Sequence, residues 1–468
     1  GVFPAAPKRY VCAVMPLPTL ATLSPNGLLI LAAASIIGLI LLIARFRCNA
    51  FIALILASLS VGIGSGMHLA DVATTFDAGV GKTLGGLAMI IGLGTILGKM
   101  LSESGAAHVI ANQMVRWLGP KRLDYAIMIV AFLVGISIFF NVGFILLGPI
   151  AYMLARETKT PILRLALPMA AGLSTAHGLI PPHPGPMAAI ALIHADTGKT
   201  ILYGILVGAP TALVTGPLLA RLVARRVPVE LGGLFAEMDE RPMAPRPPGF
   251  GISVFTMVLP VLLMLAATAA KIGLSPESAV NQWAQLLGAP TVAMLIAALV
   301  SFWTFGFKCG FDGKQILKFT EVCLGPVAGL LLLIGAGGGF GQVLNASGVG
   351  AAIGVIGKDL PVSPLFLGWV IAGLIRISLG SATVSIQTAA GLMAPIIAAK
   401  PGVNKELLVL AMGSGSMILS HVNDSGFWFV KEYLGMTVGQ TLKSWTVVET
   451  GIAIVSIVLI LIVNMFVS

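Results

Sequence analysis

Two short runs of polar and helix-breaking residues interrupt a chain that is otherwise strongly apolar: Ser174-Thr-Ala-His-Gly-Leu-Ile-Pro-Pro-His-Pro-Gly-Pro186 and Ser420-His-Val-Asn-Asp-Ser-Gly426. Pro181, Pro182, Pro184 and Pro186 lack the N–H that a continuous helix needs, so the first run must break. Broken backbone at bilayer depth survives only where it is buried in protein or lines a watery cavity. Secondary transporters hold their solutes at discontinuous helices of this kind. The two runs therefore predict a membrane protein that moves a small polar solute.

Only 10% of the residues are charged, against 57% hydrophobic. Soluble domains average about a quarter charged, which excludes a soluble fold. Asn26–Ala44, Asn49–Gly66, Gly86–Leu101, Asp124–Leu154, Ser253–Ala270, Thr291–Gly306, Gly325–Gly339 and Thr450–Val467 read as membrane segments. At roughly 20 residues per crossing, the chain has room for about ten to twelve helices, an all-α polytopic architecture in the lipid bilayer. The net charge of +10 is not a nucleic-acid footprint. Its basic residues cluster at segment ends (Arg45 and Arg47; Arg116, Lys121 and Arg122; Arg221, Arg225 and Arg226; Lys308, Lys314 and Lys318), as in cytoplasmic anchoring loops. Arg45 and Arg47 after the first span place the N-terminus outward, and the basic stretch after Arg221 reads as cytoplasmic. Cys12, Cys48, Cys309 and Cys323 have no paired spacing, so neither a disulfide framework nor a metal site is expected.

The chain repeats itself. Gly92, Gly94, Gly98, Leu101, Ser104 and Gly105 match Gly335, Gly337, Gly341, Leu344, Ser347 and Gly348, each pair 243 residues apart. Small residues recur by chance in membrane helices, but six ungapped matches ending in Ser-Gly exceed chance. Phe139-Phe-Asn-Val-Gly143, leading to Gly-Pro-Ile, then parallels Gly380-Ser-Ala-Thr-Val-Ser385, leading to Ala-Pro-Ile. The division expected is an N-terminal extension over 1–23, a first transmembrane repeat over 24–226, a cytoplasmic linker over 227–250 and a second repeat over 251–468. Lys8-Arg9 before an apolar stretch faintly suggests a signal peptide. Repeats of this sort usually have inverted topology, with the site between them.

The strings Thr175-Ala-His-Gly-Leu-Ile-Pro-Pro-His-Pro-Gly-Pro186, Leu379-Gly-Ser-Ala-Thr-Val384 and Ser420-His-Val-Asn-Asp-Ser-Gly-Phe-Trp428 resemble the gluconate:proton symporter (gluconate permease) family, over residues 26 to 468. The resemblance implies proton-driven uptake of gluconate or a related sugar acid across the bacterial inner membrane. It also implies membership of the wider ion transporter superfamily. That kinship carries two re-entrant hairpins, two broken helices and an elevator-type transport domain on a scaffold, in a homodimer. Hairpin tips are expected near Phe139–Gly143 and Gly380–Ser385, and helix breaks near Ser174–Pro186 and Ser420–Gly426. Where the family pattern has Asp or Glu, this chain has Asn141; the resemblance makes 141 a proton-coupling position, and if that acid takes part, coupling here is either lost or carried by other groups. Gly185-Pro-Met-Ala-Ala-Ile and His194-Ala-Asp-Thr-Gly-Lys-Thr-Ile-Leu-Tyr203 are closer to the gluconate branch than to the D-serine branch.

A sugar acid offers one carboxylate and a row of hydroxyls. The carboxylate suits backbone N–H groups at half-helix N-termini, where Gly380, Ser381, Thr383 and Ser385 supply small size and hydroxyls. The solute's hydroxyls suit Asn141, Ser174, Thr175, Ser420 and Asn423, which donate and accept. The alternative for each Ser and Thr is a bond to a helix carbonyl. Intramembrane ionisable groups normally mark a pathway or relay: His177, His183, and His421 with Asp424, the last two taken as proton-coupling. His183, fenced by prolines, equally suits bracing of the loop. Arg376 has three readings: a ligand for the carboxylate, a counter-ion for Asp424, or a snorkelling side chain.

No cofactor, metal or nucleotide is implied. Gly81-Lys-Thr83 and Gly198-Lys-Thr200 end like phosphate loops, but Phe76 and Ile193 stand where glycine is required. A D-serine or glycerate symporter of the same family is the alternative function. An intramembrane enzyme built on His421, Asn423 and Asp424 would lack a nucleophile elbow or zinc string and would not need duplicated breaks. A passive channel would predict oligomeric rings rather than two pseudo-symmetric halves.

Overall fold

The computed structural model describes residues 23–46, 48–237, 244–325, 327–349, 352, 362–400, 402–422 and 424–467. Asn423 and the N-terminal residues 1–22 lie outside these. The described residues form helices joined by short links, with no strand among them. Among the described residues, six helices are long and apolar enough to cross a membrane: Leu69–Glu103, Thr197–Arg226, Phe250–Gly273, Pro290–Cys309, Gly313–Ala346 and Val438–Val467. Their outward faces keep large apolar side chains such as Ile272, Met465 and Phe466 exposed, as lipid contact requires.

Four shorter helices are arranged as two pairs with tight links. Leu123–Gly135 and Phe140–Thr158 are separated by four residues, and Pro364–Leu379 and Ala382–Ala399 by two. The apolar run Asp124–Leu154 is thus two helices rather than a single segment. The Ser137 hydroxyl holds the first link open by donating to the Met257 carbonyl at 2.6 Å. Gly380, at φ 74°, closes the second in a left-handed conformation that favours glycine.

Both expected breaks interrupt helices, the first starting later and the second earlier than the composition suggested. The first helix runs Leu163–Leu179 and resumes at Pro184–Ile193; the second runs Lys405–Gly415 and resumes at Ser425–Tyr433. Ser174, Thr175 and His177 are therefore helical, because a proline disfavours helix only at the residue before it and in the turn it would join. Pro184 and Pro186 fall in a first helical turn, where their missing N–H costs nothing. Helix starts at 69, 123, 140, 163, 184 and 197 recur 241 to 244 residues later.

Glycine brings backbones into contact at the crossings. A Cβ on Gly79 would lie 2.7 Å from the Gly338 carbonyl oxygen, joining Leu69–Glu103 to Val327–Ala346. One on Gly413 would lie 2.2 Å from the Gly178 carbonyl oxygen, where the two interrupted helices meet. At one edge, Asp196 caps the helix beginning at Thr197, pairs with Lys271 at 2.8 Å, and donates its backbone N–H to Glu406. Burial alone would raise the Asp196 carboxyl, but the bonds from Lys271, Lys199 and Gly198 outweigh it and hold it low. Two apolar clusters fill the interior, one around Leu407–Met412 and Phe340, the other around Leu123–Leu173 and Trp445. The site lies at their junction.

Candidate functional site

Three helix N-termini converge on a cavity of about 270 Å³. Phe140, Ala382 and Ser425 begin the helices that point into it, after extended residues Phe139, Ser381 and Asp424. The first intrahelical bonds run from Gly143 to Phe139 and from Ser385 to Ser381. The N–H groups ahead of them carry the positive end of each helix dipole. The helices that begin at Phe140 and Ala382 occupy matching places in the two tightly linked pairs.

Arg376 stands beside these termini, 4% exposed. One guanidinium nitrogen donates to the Gly380 carbonyl at 2.6 Å and another to the Asp424 carboxylate. Its Nε has no partner. Asp424 also accepts from the Ser420 hydroxyl and, at 2.9 Å, from the Gly426 amide. Three donors therefore occupy the carboxylate. Ser420 in turn accepts from Trp445 Nε1 at 2.7 Å, and its carbonyl accepts from the Thr446 hydroxyl. His421 Nε2 lies 3.0 Å from the Ile377 carbonyl. The second break is thus strapped to the helices on either side of it.

His177, in the cavity lining, meets His183 Nδ1 to Nδ1 at 3.2 Å, and His183 Nε2 bonds the Gly135 carbonyl. A carbonyl only accepts, so His183 carries its hydrogen on Nε2. A neutral His183 then accepts at Nδ1 from the Nδ1–H of His177, leaving His177 Nε2 as an acceptor beside the cavity. The arrangement combines a positive rim for an anionic group with acceptors and donors for hydroxyls.

A family profile described as GntP family permease matches residues 27–466. The chain belongs to this family. The gluconate permease of Pseudomonas aeruginosa is 46% identical over 439 residues, covering 94% of this chain and 98% of its own. The high-affinity gluconate transporter of Escherichia coli is 43% identical, over 93% of this chain and 99% of its own. The L-idonate transporter of the Gnt-II system of Escherichia coli is 41% identical over the same shares. Among solved structures, the Alcanivorax borkumensis YdaH transporter matches with a TM-score of 0.63 at 17% identity, over 89% of this chain and 98% of that one. That likeness is one of fold. This GntP permease is a multi-pass membrane transporter, not an enzyme.

Of the residues singled out in the sequence, Asn141, Ser174, His177, Arg376, Gly380, Ser381, Thr383 and Asp424 line the permease's cavity. Thr175, His183, Ser385, Ser420 and His421 are not in its lining. The Ser385 hydroxyl is spent on the Ser381 carbonyl at 2.6 Å, and buried Thr175 Oγ1 has no partner. Sequence reasoning missed Trp445, Met417 and above all Glu449, which is 1% exposed and lines the cavity from the last helix. Its signal was an acid inside an apolar helix, lost because the last span was drawn from Thr450.

Proposed function

We propose that this permease takes up gluconate or a closely related sugar acid, in symport with protons, across the bacterial inner membrane. The observation that carries the reading is the convergence of three helix N-termini and the unpartnered Arg376 Nε on a cavity also lined by Asn141, Ser174, His177 and Thr383. The helix ends and Arg376 hold the carboxylate; the amide, hydroxyls and imidazole bond the hydroxyls of the sugar chain. Relatives named for gluconate and L-idonate point to the same class. Asp424 serves as the fixed counter-ion of Arg376, and His421 as a brace of the second break.

The recurring helix starts support two repeats of inverted topology. The tightly linked pairs act as re-entrant hairpins, and they move with the interrupted helices against a scaffold that includes Leu69–Glu103 and Val327–Ala346, elevator fashion, in a homodimer. Purified protein in liposomes should accumulate gluconate when an inward proton gradient is imposed and only equilibrate without one. Asn141→Asp is measured beside it. Accumulation by the unaltered protein makes Asn141 a ligand for hydroxyls. Accumulation only after Asn141→Asp would make position 141 the proton carrier and this chain an uncoupled form. No gluconate flux in either, with flux of D-serine or glycerate, would transfer the assignment to those solutes.

A further inference from the structure

The helix Val438–Val467 carries a single acid, Glu449, into the cavity. Its Oε1 has no hydrogen-bond partner, and the Ser174 hydroxyl lies beside the carboxyl. Among helices packed against it, Leu163–Leu179 presents Ser174 and His177, Pro364–Leu379 presents Arg376, and the second break presents Asp424. Lys405–Gly415 and Thr197–Arg226 contribute no residue to the cavity lining.

Among the described ionisable groups of this lining, the others are engaged. Asp424 has three donors, Arg376 is paired with it, and the Nδ1 of His177 is bonded to His183. One guanidinium charge is therefore matched by one carboxylate. An ionised Glu449 would be a second buried anion on that guanidinium, and a bound sugar acid a third. Buried unpaired charge is expensive, and like charges in one site disfavour each other.

We propose that Glu449 is the group that takes up the coupling proton: the carboxylate gains a proton from water as the anionic solute enters, and returns it as the solute leaves. The inference rests on the proton-symport reading. The step is balanced, since one proton and one monoanion enter and the charge of the cavity is unchanged. By linkage, proton and solute each raise the affinity of the other. Asn141 fits the same picture. Position 141 offers an amide, and of the two acids in the described lining, Asp424 and Glu449, only Glu449 lacks a full set of partners.

The test is calorimetric titration of gluconate into the purified protein, in buffers of different ionisation enthalpy, with uptake into liposomes alongside. On the alkaline side of the Glu449 titration the unaltered protein should take up about one proton per gluconate, with Kd rising about tenfold per pH unit there and both effects fading at lower pH. Glu449→Gln should take up none and lose both that pH dependence and gradient-driven accumulation. Glu449→Asp, which keeps a carboxyl, should restore proton uptake and guards against a merely misfolded Glu449→Gln. Proton uptake and accumulation persisting in Glu449→Gln would overturn the inference and leave symport standing. Gluconate binding to the unaltered protein without proton uptake, together with flux indifferent to the gradient, would overturn the symport reading itself and leave Glu449 as a ligand for hydroxyls.

Discussion

Replacing Arg376 by alanine should abolish transport and cost the protein about 3–5 kcal/mol of stability, the usual penalty for removing one partner of a buried ion pair. The side chain is 4% exposed and serves both Asp424 and the Gly380 carbonyl. Its loss strands a carboxylate and a carbonyl in a water-poor interior at once. A total stability of roughly 5–15 kcal/mol leaves little in reserve. The informative comparison is the double variant Arg376→Ala/Asp424→Ala, which removes the stranded charge with its partner. Unfolding in detergent should show it more stable than Arg376→Ala alone, while uptake stays absent in both. A double variant as unstable as the single would mean that the pair is not what makes Arg376 structurally necessary.

The second large effect is expected from a single methyl group. Gly413→Ala places a Cβ 2.2 Å from the Gly178 carbonyl oxygen, where the two interrupted helices touch. Even a weak C–H···O contact needs about 3.3 Å, so the helices must part by about an ångström. Overpacking of this kind costs roughly 1–3 kcal/mol. Alanine's better helix propensity, about 0.5–1 kcal/mol, is too small to reverse the sign. The displacement falls at the residue next to His177 and four residues from Met417, both in the cavity wall, so uptake should fall further than stability does. Gly85→Ala is the control. Nothing lies within 4 Å of its added methyl, and both uptake and thermal stability should match or slightly exceed those of the unaltered protein. Equal behaviour of Gly413→Ala and Gly85→Ala would show that the crossing is not tightly packed.

What could be read in the sequence was whatever leaves a local mark. The membrane character follows from the apolar runs, and the breaks follow from the prolines at 181–186 and the polar string at 420–426. The placement of the first break was less exact. Residues 174–178 are polar or small but contain nothing that forbids a helix, and polarity was mistaken there for irregular backbone. Long-range pairings left no mark. Arg376 and Asp424 stand 48 residues apart, so the sequence held three readings of the arginine open, and it could not show that the two side chains pair. His177 and His183 pair because the chain folds back through the break, which six residues of sequence spacing did not disclose. Glu449 was hidden by a segment boundary: a run drawn to exclude charge stops at the residue that matters.

The contact between Gly178 and Gly413 also bears on how the protein is made. Everything emerging from the ribosome up to residue 226 contains one interrupted helix whose crossing partner has not been synthesised. The carbonyls of Pro181 and Pro182 cannot be left facing lipid. Until the chain reaches the last helix, with Trp445 and Glu449, this half must be sheltered within the insertion machinery or wait near water at the membrane edge. The permease is therefore expected to complete its interior late, in one concerted docking of two halves, and chains truncated before residue 438 should be degraded rather than accumulate as half-sites.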